Sequence, residues 1–393
     1  MCSSYALASA QFPADWVGGR RAPIALNHAL VTADQSNFPW IIQASAFPSE
    51  FWTNVQADGG DIRFTSDETG AIPLHSEITN FNKTGHTITA YVKIPNISSS
   101  VDTTIWVWYK SSVTAAMPAA SNPTWGSQGV WDANYTAVYH MDGASGANES
   151  DSTANGHNMT DAGAVTSVAG KIDNGRSGFT GSVSLYNAAL AEPGTYTIET
   201  WANILSTSGG YQCIFSNLQN NHAQFRTFVA NQNIRTDIMA NNLNYNVYTT
   251  SSNPISSAPA AYHLAVASDG TAGNSGMAIY VDGSSLAVTA GPFGTPAYPG
   301  SGWGWATIGE DSASSTFPAP SWIDEVRFSN IVRSADWITT SYNNQANLAI
   351  SGTPGTPEDV PGGAVPEFSS WAMIVALGLV VVGMTGMRKR RSK

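Results

Sequence analysis

The sequence predicts an all-β protein: two β-sandwich domains followed by a single C-terminal transmembrane helix. Three observations carry that expectation. Short runs of alternating apolar and polar residues recur, rich in Val, Ile, Thr, Tyr and Trp and separated by Gly, Asn and Asp turns. Only 11 % of the 393 residues are charged, which suits an exported β protein with uncharged polar outer faces. Residues 368–387 form an uninterrupted apolar run, about 30 Å long as a helix, the thickness of a bilayer core.

Residues 1–10 read as the remnant of a signal peptide. Ala8-Ser9-Ala10 has the spacing of a cleavage site, but the basic and apolar stretches that precede such sites are missing. A leader is therefore expected upstream of Met1. Cleavage after Ala10 removes Cys2 and leaves Cys213 as a small core residue in Gly210-Tyr211-Gln212-Cys213-Ile214-Phe215.

Residues 11–114 form the first predicted sandwich. Asp58-Gly59-Gly60-Asp61 is a turn feeding Ile62-Arg63-Phe64, and Thr87 to Pro95 puts Ile88, Ala90, Val92 and Ile94 on one face. Thr103 to Tyr109 is a further aromatic strand. Trp16…Arg20, Asp58 to Phe64, Tyr91-Val92-Lys93-Ile94-Pro95 and Ile105-Trp106-Val107-Trp108-Tyr109 together resemble an uncharacterised β domain that precedes concanavalin-like domains in secreted microbial proteins. That resemblance implies a fold and no activity. Residues 115–128 are an Ala, Ser, Pro and Gly linker.

Residues 129–348 form the second domain. Tyr196 to Trp201 opens a strand, Met277 to Val281 alternates cleanly, and Asp282-Gly283 marks a turn. Short strands at this spacing with few helices predict a sandwich. The ordered landmarks are Ala137-Val138-Tyr139-His140-Met141-Asp142, Asp151-Ser152-Thr153-Ala154-Asn155-Gly156, Val168-Ala169-Gly170-Lys171, Tyr196 to Trp201, Tyr262 to Val266, Ile279 to Gly283, and Ile308-Gly309 followed by Trp322 to Phe328. They resemble the laminin-G-like branch of the concanavalin A-like jelly rolls. Residues 349–364, with Ser-Gly-Thr-Pro-Gly-Thr-Pro, are expected to be a flexible stalk.

Residues 365–393 set the destination. Arg388, Lys389, Arg390, Arg391 and Lys393 follow the apolar run and keep that end in the cytoplasm, with everything upstream outside. Val365-Pro366-Glu367-Phe368-Ser369-Ser370-Trp371-Ala372-Met373, the span and the basic end resemble PEP-CTERM sorting signals. The resemblance implies an exosortase that recognises Val365, Pro366 and Glu367 and removes the helix. Phe368 stands where that family has a second proline, a form known from archaeal surface proteins. The plain alternative is an anchor that is never cut.

Net charge is −11, and without the five terminal cations 12 basic residues face 28 acidic ones. Nucleic acid binding needs a basic footprint and is excluded by that sign. Glycans or cations fit better.

Within the strand Trp322 to Phe328, period 2 places Trp322, Asp324, Val326 and Phe328 on a buried face, with Ile323, Glu325 and Arg327 opposite. A buried Asp324 must be hydrogen-bonded, metal-bound or neutral. The laminin-G-like resemblance implies a structural Ca²⁺ and adjacent first and last strands, so Asp142, Asp151 and Asn155 could join Asp324 as oxygen ligands. Backbone N–H groups on Asp324 are the other solution. Catalytic signals are thin: no Glu-x-Asp-x-x-Glu strand, zinc spacing, Gly-x-Ser-x-Gly elbow or phosphate loop occurs. Trp303 in Gly300-Ser301-Gly302-Trp303-Gly304-Trp305, and Asn244 and Tyr245 in a loop from Asn241 to Asn246, are candidate glycan contacts. Trp305 reads as a strand residue of the core, and the Asn-rich loop equally as a polar turn.

The expectation is a non-catalytic carbohydrate-binding or adhesive surface protein. A structural or biofilm spacer without a discrete ligand is the alternative, and a polysaccharide hydrolase a weaker one.

Overall fold

The structure, a computed structural model, describes residues 12–180, 185–187, 195–208, 211–219, 222–241, 244–270, 276–291, 305–309 and 319–361. The first domain is two antiparallel sheets. One has the order Gly352–Pro354, Arg20–Leu26, Thr103–Tyr109, Arg63–Thr65, Pro73–Leu74; the other is Gln35–Gln43, Thr87–Ile97, Ser76–Asn82. Ile24 opposes Ile105 and Ala22 opposes Val107, and these alternate residues turn into a core with Trp40, Ile42, Phe64 and Val92. In Thr87–Ile97, Ile88, Ala90, Val92 and Ile94 are buried as alternation requires. Thr89 and Tyr91 are buried too, so this strand has two covered faces.

The second domain packs two eight-stranded sheets face to face. Thr166–Ala169, Asn174–Ser177, Trp322–Ser329, Tyr196–Ile204, Ala260–Ser268, Met277–Val281 and Ser284–Leu286 form one, with Tyr135–Tyr139 also pairing the closing strand Trp322–Ser329. Val288–Gly291, Asn244–Thr250, Asn233–Asn241, His222–Ala230, Tyr211–Gln219, Trp305–Ile308, Leu185–Asn187 and Thr160–Asp161 form the other. Between them lie Tyr139, Ile198, Phe215, Leu264, Ile279, Ile308 and Phe328. First and last strands are adjacent, Val326 opposite Tyr139.

The closing strand breaks period 2. Its pairing with Tyr196–Ile204 slips between Glu199 and Trp201, and Glu325 sits at φ 51°, a left-handed conformation that a non-glycine residue holds only when its surroundings fix it. The bulge re-aims the side chains. Ile323, Val326 and Phe328 all enter the sandwich core, which corrects the expected pairing of Ile323 with Glu325 and Arg327.

Two further findings differ from expectation. Ala335–Ala346 is a 12-residue helix, capped by Ser334 Oγ accepting from Trp337 N. It joins the two domains: Asn344 Oδ1 accepts from Ile41 N at 2.8 Å, and Asn344 Nδ2 donates to Ile41 O at 3.0 Å. The expected stalk is laced onto the first domain instead. Gly352–Pro354 extends the edge of Arg20–Leu26, and Arg20 and Arg21 form ion pairs with Asp359 and Glu358. An unpaired edge strand seeks a partner, and Thr353 and Glu358 supply one despite the surrounding Gly and Pro. Among the described residues no helix is long and apolar enough to cross a membrane.

Candidate functional site

The two domains share one hydrophobic core cluster, in which Val138, Ile172 and Trp337 pack with first-domain residues. At the surface their junction opens as a cleft of about 380 Å³ lined by Thr79, Asn80, Asp142, Asp173 and Asn174. A second, smaller recess of about 130 Å³ shares Asn80 and Asp173 and adds Gln43, Ala44, Thr87, Ile88 and Thr89. One wall is therefore the first domain's three-stranded sheet, where Ser76–Asn82 is half-buried and contributes Thr79 and Asn80. The other is the end of Tyr135–Tyr139 and the turn that enters Asn174–Ser177. Asn80 Nδ2 donates to Asp173 Oδ1 at 3.0 Å across the seam. Asp173 itself is at φ 54°, a conformation that Asp and Asn tolerate better than most residues.

A buried charge network neighbours the cleft. Glu325, 1 % exposed, accepts from Tyr91 Oη at 2.6 Å and Arg327 Nη2 at 2.7 Å, and lies 2.8 Å from His140 Nδ1. Tyr91 belongs to the first domain and the others to the second. His140 Nε2 lies 3.4 Å from Glu77 Oε2, which accepts from Trp131 Nε1 at 2.7 Å. Burial opposes charge on His140, but Glu325 and Glu77 overcome it and raise its pKa well above the ordinary value. Burial likewise opposes ionisation of Glu325, yet His140 and Arg327 hold its carboxyl down at about 2. Asp324 goes the other way: burial, then the charge of Glu325, raises its pKa well above the ordinary value. Desolvation in the cleft wall raises Asp142, with His140 opposing and Glu325 and Glu77 adding to the rise.

Of the residues expected to hold calcium, only Asp142 lines the cleft. Asp324 Oδ2 accepts from Lys171 N and Ile172 N at 2.8 and 2.9 Å, while Oδ1 is buried without a partner. Asp151 accepts from Val138 N, Thr153 N, Thr153 Oγ1 and His157 N, and Asn155 Nδ2 donates to Tyr135 O and Thr136 O. These two fold the turn after the first strand, through both carboxylate oxygens of Asp151 and the amide nitrogen of Asn155. Among the described residues, no three His, Cys, Asp or Glu side chains gather as a metal-holding group. Asn244 and Tyr245 open a strand, with Asn244 opposite Asn241 and Tyr245 opposite Met239, rather than lying within a loop. Trp303, Val365, Pro366, Glu367 and the span 368–387 lie outside the described residues. Cys213 is buried in Tyr211–Gln219, as expected for a small core residue.

Sequence reasoning missed Thr79, Asn80, Asp173 and Asn174, because a cleft between domains joins segments far apart in the chain. It also missed the Tyr91–Glu325 bond. The available signals were an aromatic among polar residues on the outer face of a strand, and Asp173-Asn174-Gly175 as a turn.

Residues 176–339 match the family model described as the concanavalin A-like lectin/glucanases superfamily. Residues 58–155 match that of a domain of unknown function, DUF2341. The chain thus carries a laminin-G-like module preceded by an uncharacterised β domain. No curated protein matches the chain. Among solved structures, the botulinum neurotoxin serotype D binding domain is 13 % identical over 54 % of this chain and 52 % of that one, at a TM-score of 0.41. The binding domain of Paraclostridial mosquitocidal protein 1 is 10 % identical over 55 % and 53 %, at 0.40. A Trypanosoma rangeli sialidase is 14 % identical over 64 % and 42 %, at 0.40. The chain spans about half the length or less of these structures, and likeness this distant carries no argument.

Proposed function

We propose that this is an exported, non-catalytic glycan-binding protein displayed at a cell surface. The observation that carries the reading is the seam cleft, whose amides, hydroxyls and carboxylates offer hydrogen bonds at several angles, as a ring of sugar hydroxyls requires. The lectin-type family match supports it. The buried acids support a non-catalytic role: Glu325 and Asp324 are 1 % and 0 % exposed, and a glycosidase pair must face its substrate. Export rests on the apolar run 368–387 and its basic end, with processing at Val365-Pro366-Glu367 by an exosortase-like enzyme as part of the same proposal.

A glycan array probed with the full chain tests binding, with Asn80→Ala and Asn174→Ala as cleft variants. Binding weakened by both variants supports the reading; no binding to any glycan favours a structural spacer. Hydrolysis is the second reading, favoured by two carboxylates in one cleft, Asp142 and Asp173. Shortened oligosaccharides on incubation, abolished by Asp142→Asn, would replace the binding role with that one.

A further inference from the structure

The charge of the cleft narrows its ligand. Neither part of the lining contains Lys, Arg or His; its charged groups are Asp142 and Asp173. Asp142 forms no ion pair with any described residue. The acids whose charge bears on it, Glu325, Glu77 and Glu149, already face cations of their own: the shared His140, Arg327 and Arg176. Asp173 gives one oxygen to Asn80. The recess is thus walled by carboxylate on the second-domain side and by amide and hydroxyl on the first-domain side.

Resting on the glycan-binding reading, we infer that the seam cleft selects amine-bearing glycans, oligosaccharides of hexosamine whose nitrogen is a free ammonium, over acetylated, neutral and acidic ones. An ammonium set against Asp142 gains a charge-assisted hydrogen bond, stronger than its neutral counterpart. Asn174, Thr79 and the amide oxygen of Asn80 remain for the ring hydroxyls. An acidic sugar would meet like charge with no cation in the lining to offset it. Size separates this ligand from a bare ion: about 380 Å³ is within the range of small-molecule sites, whereas a metal needs oxygens converging at roughly 2–2.6 Å.

The test is calorimetric titration of the full chain at pH 6 with four trisaccharides: glucosamine, N-acetylglucosamine, glucose and galacturonate trimers. The expected result is on the order of tenfold or more tighter binding of the glucosamine trimer than of its acetylated form. Asp142→Asn should erase that preference and Asp173→Asn weaken it. Asp102→Asn, an equal charge change away from the cleft, should leave it intact. Equal binding of the glucosamine and acetylated trimers would overturn the amine selectivity while leaving glycan binding standing. Binding of none would remove the glycan-binding reading itself. Preference surviving Asp142→Asn, or binding abolished by a chelator, would also overturn the inference, the latter by showing a bridging metal.

Discussion

Glu325→Gln tests whether the two domains are one thermodynamic unit. The native carboxylate, 1 % exposed, meets His140, Arg327 and the first-domain hydroxyl of Tyr91 within 2.8 Å. Glutamine keeps the shape but strands the Arg327 guanidinium, buried at 2 % exposure, with its nearest anion gone. Breaking a buried pair from one side costs about 3–5 kcal/mol. Tyr91→Phe removes one donor and leaves both cations matched, which costs about 1–3 kcal/mol. At about 1.4 °C per kcal/mol for a single cooperative unit of roughly 350 residues, the losses are roughly 4–7 °C and 1–4 °C. Scanning calorimetry at pH 7 should show one cooperative transition in the native protein, lowered as a whole by either substitution. Two separable transitions, with Tyr91→Phe moving only one, would refute the argument. So would a Glu325→Gln midpoint within 1 °C of native.

Two other outcomes follow from buried polar groups. Burial raises Glu149 to about 7, against the opposing charge of Arg176. A raised folded-state pKa favours the fold most below the ordinary value of 4.5, and that contribution is lost as pH rises through 7. Urea midpoints should therefore fall from pH 4.5 to 7.5, and Glu149→Gln should flatten that slope; an unchanged slope would assign it to other groups. Asn344→Ala removes both bonds to Ile41 and leaves a buried backbone N–H and C=O unmatched, a loss of about 2–4 kcal/mol in denaturant titration. A loss below about 0.5 kcal/mol would show that water replaces the amide.

Much of the fold was legible because strand period writes itself directly into the sequence. Ile88, Ala90, Val92 and Ile94 had to share a face, and they do. Adjacency of the first and last strands followed from the laminin-G-like landmarks. Alternation failed at Glu325, where a bulge changes the count by one and no residue type announces it. The helix Ala335–Ala346 was missed because its buried face includes Thr340, Ser341, Asn344 and Gln345, so the apolar spacing that marks a packed helix is absent. Its Ser334 cap was the one readable sign. Composition likewise misled at residues 349–361, because Gly and Pro describe how a segment bends and say nothing of a neighbour in need of an edge partner. For the site, Asp142 was legible only as a candidate calcium ligand after the first strand, and the structure puts it in the cleft wall. Asp173 and Asn80 were not, since their relation exists only once two domains meet.

The C-terminal lacing also decides how the molecule bears a load. A tug applied beyond residue 361 arrives first at Arg20 and Arg21, through their carboxylate partners Asp359 and Glu358, and then along the three paired residues of Gly352–Pro354. Peeling those contacts lengthens the tether without touching the bonds of Tyr91 to Glu325 and Asn344 to Ile41 that hold the seam. Under such a load the C-terminal lacing would thus part before the seam between the domains.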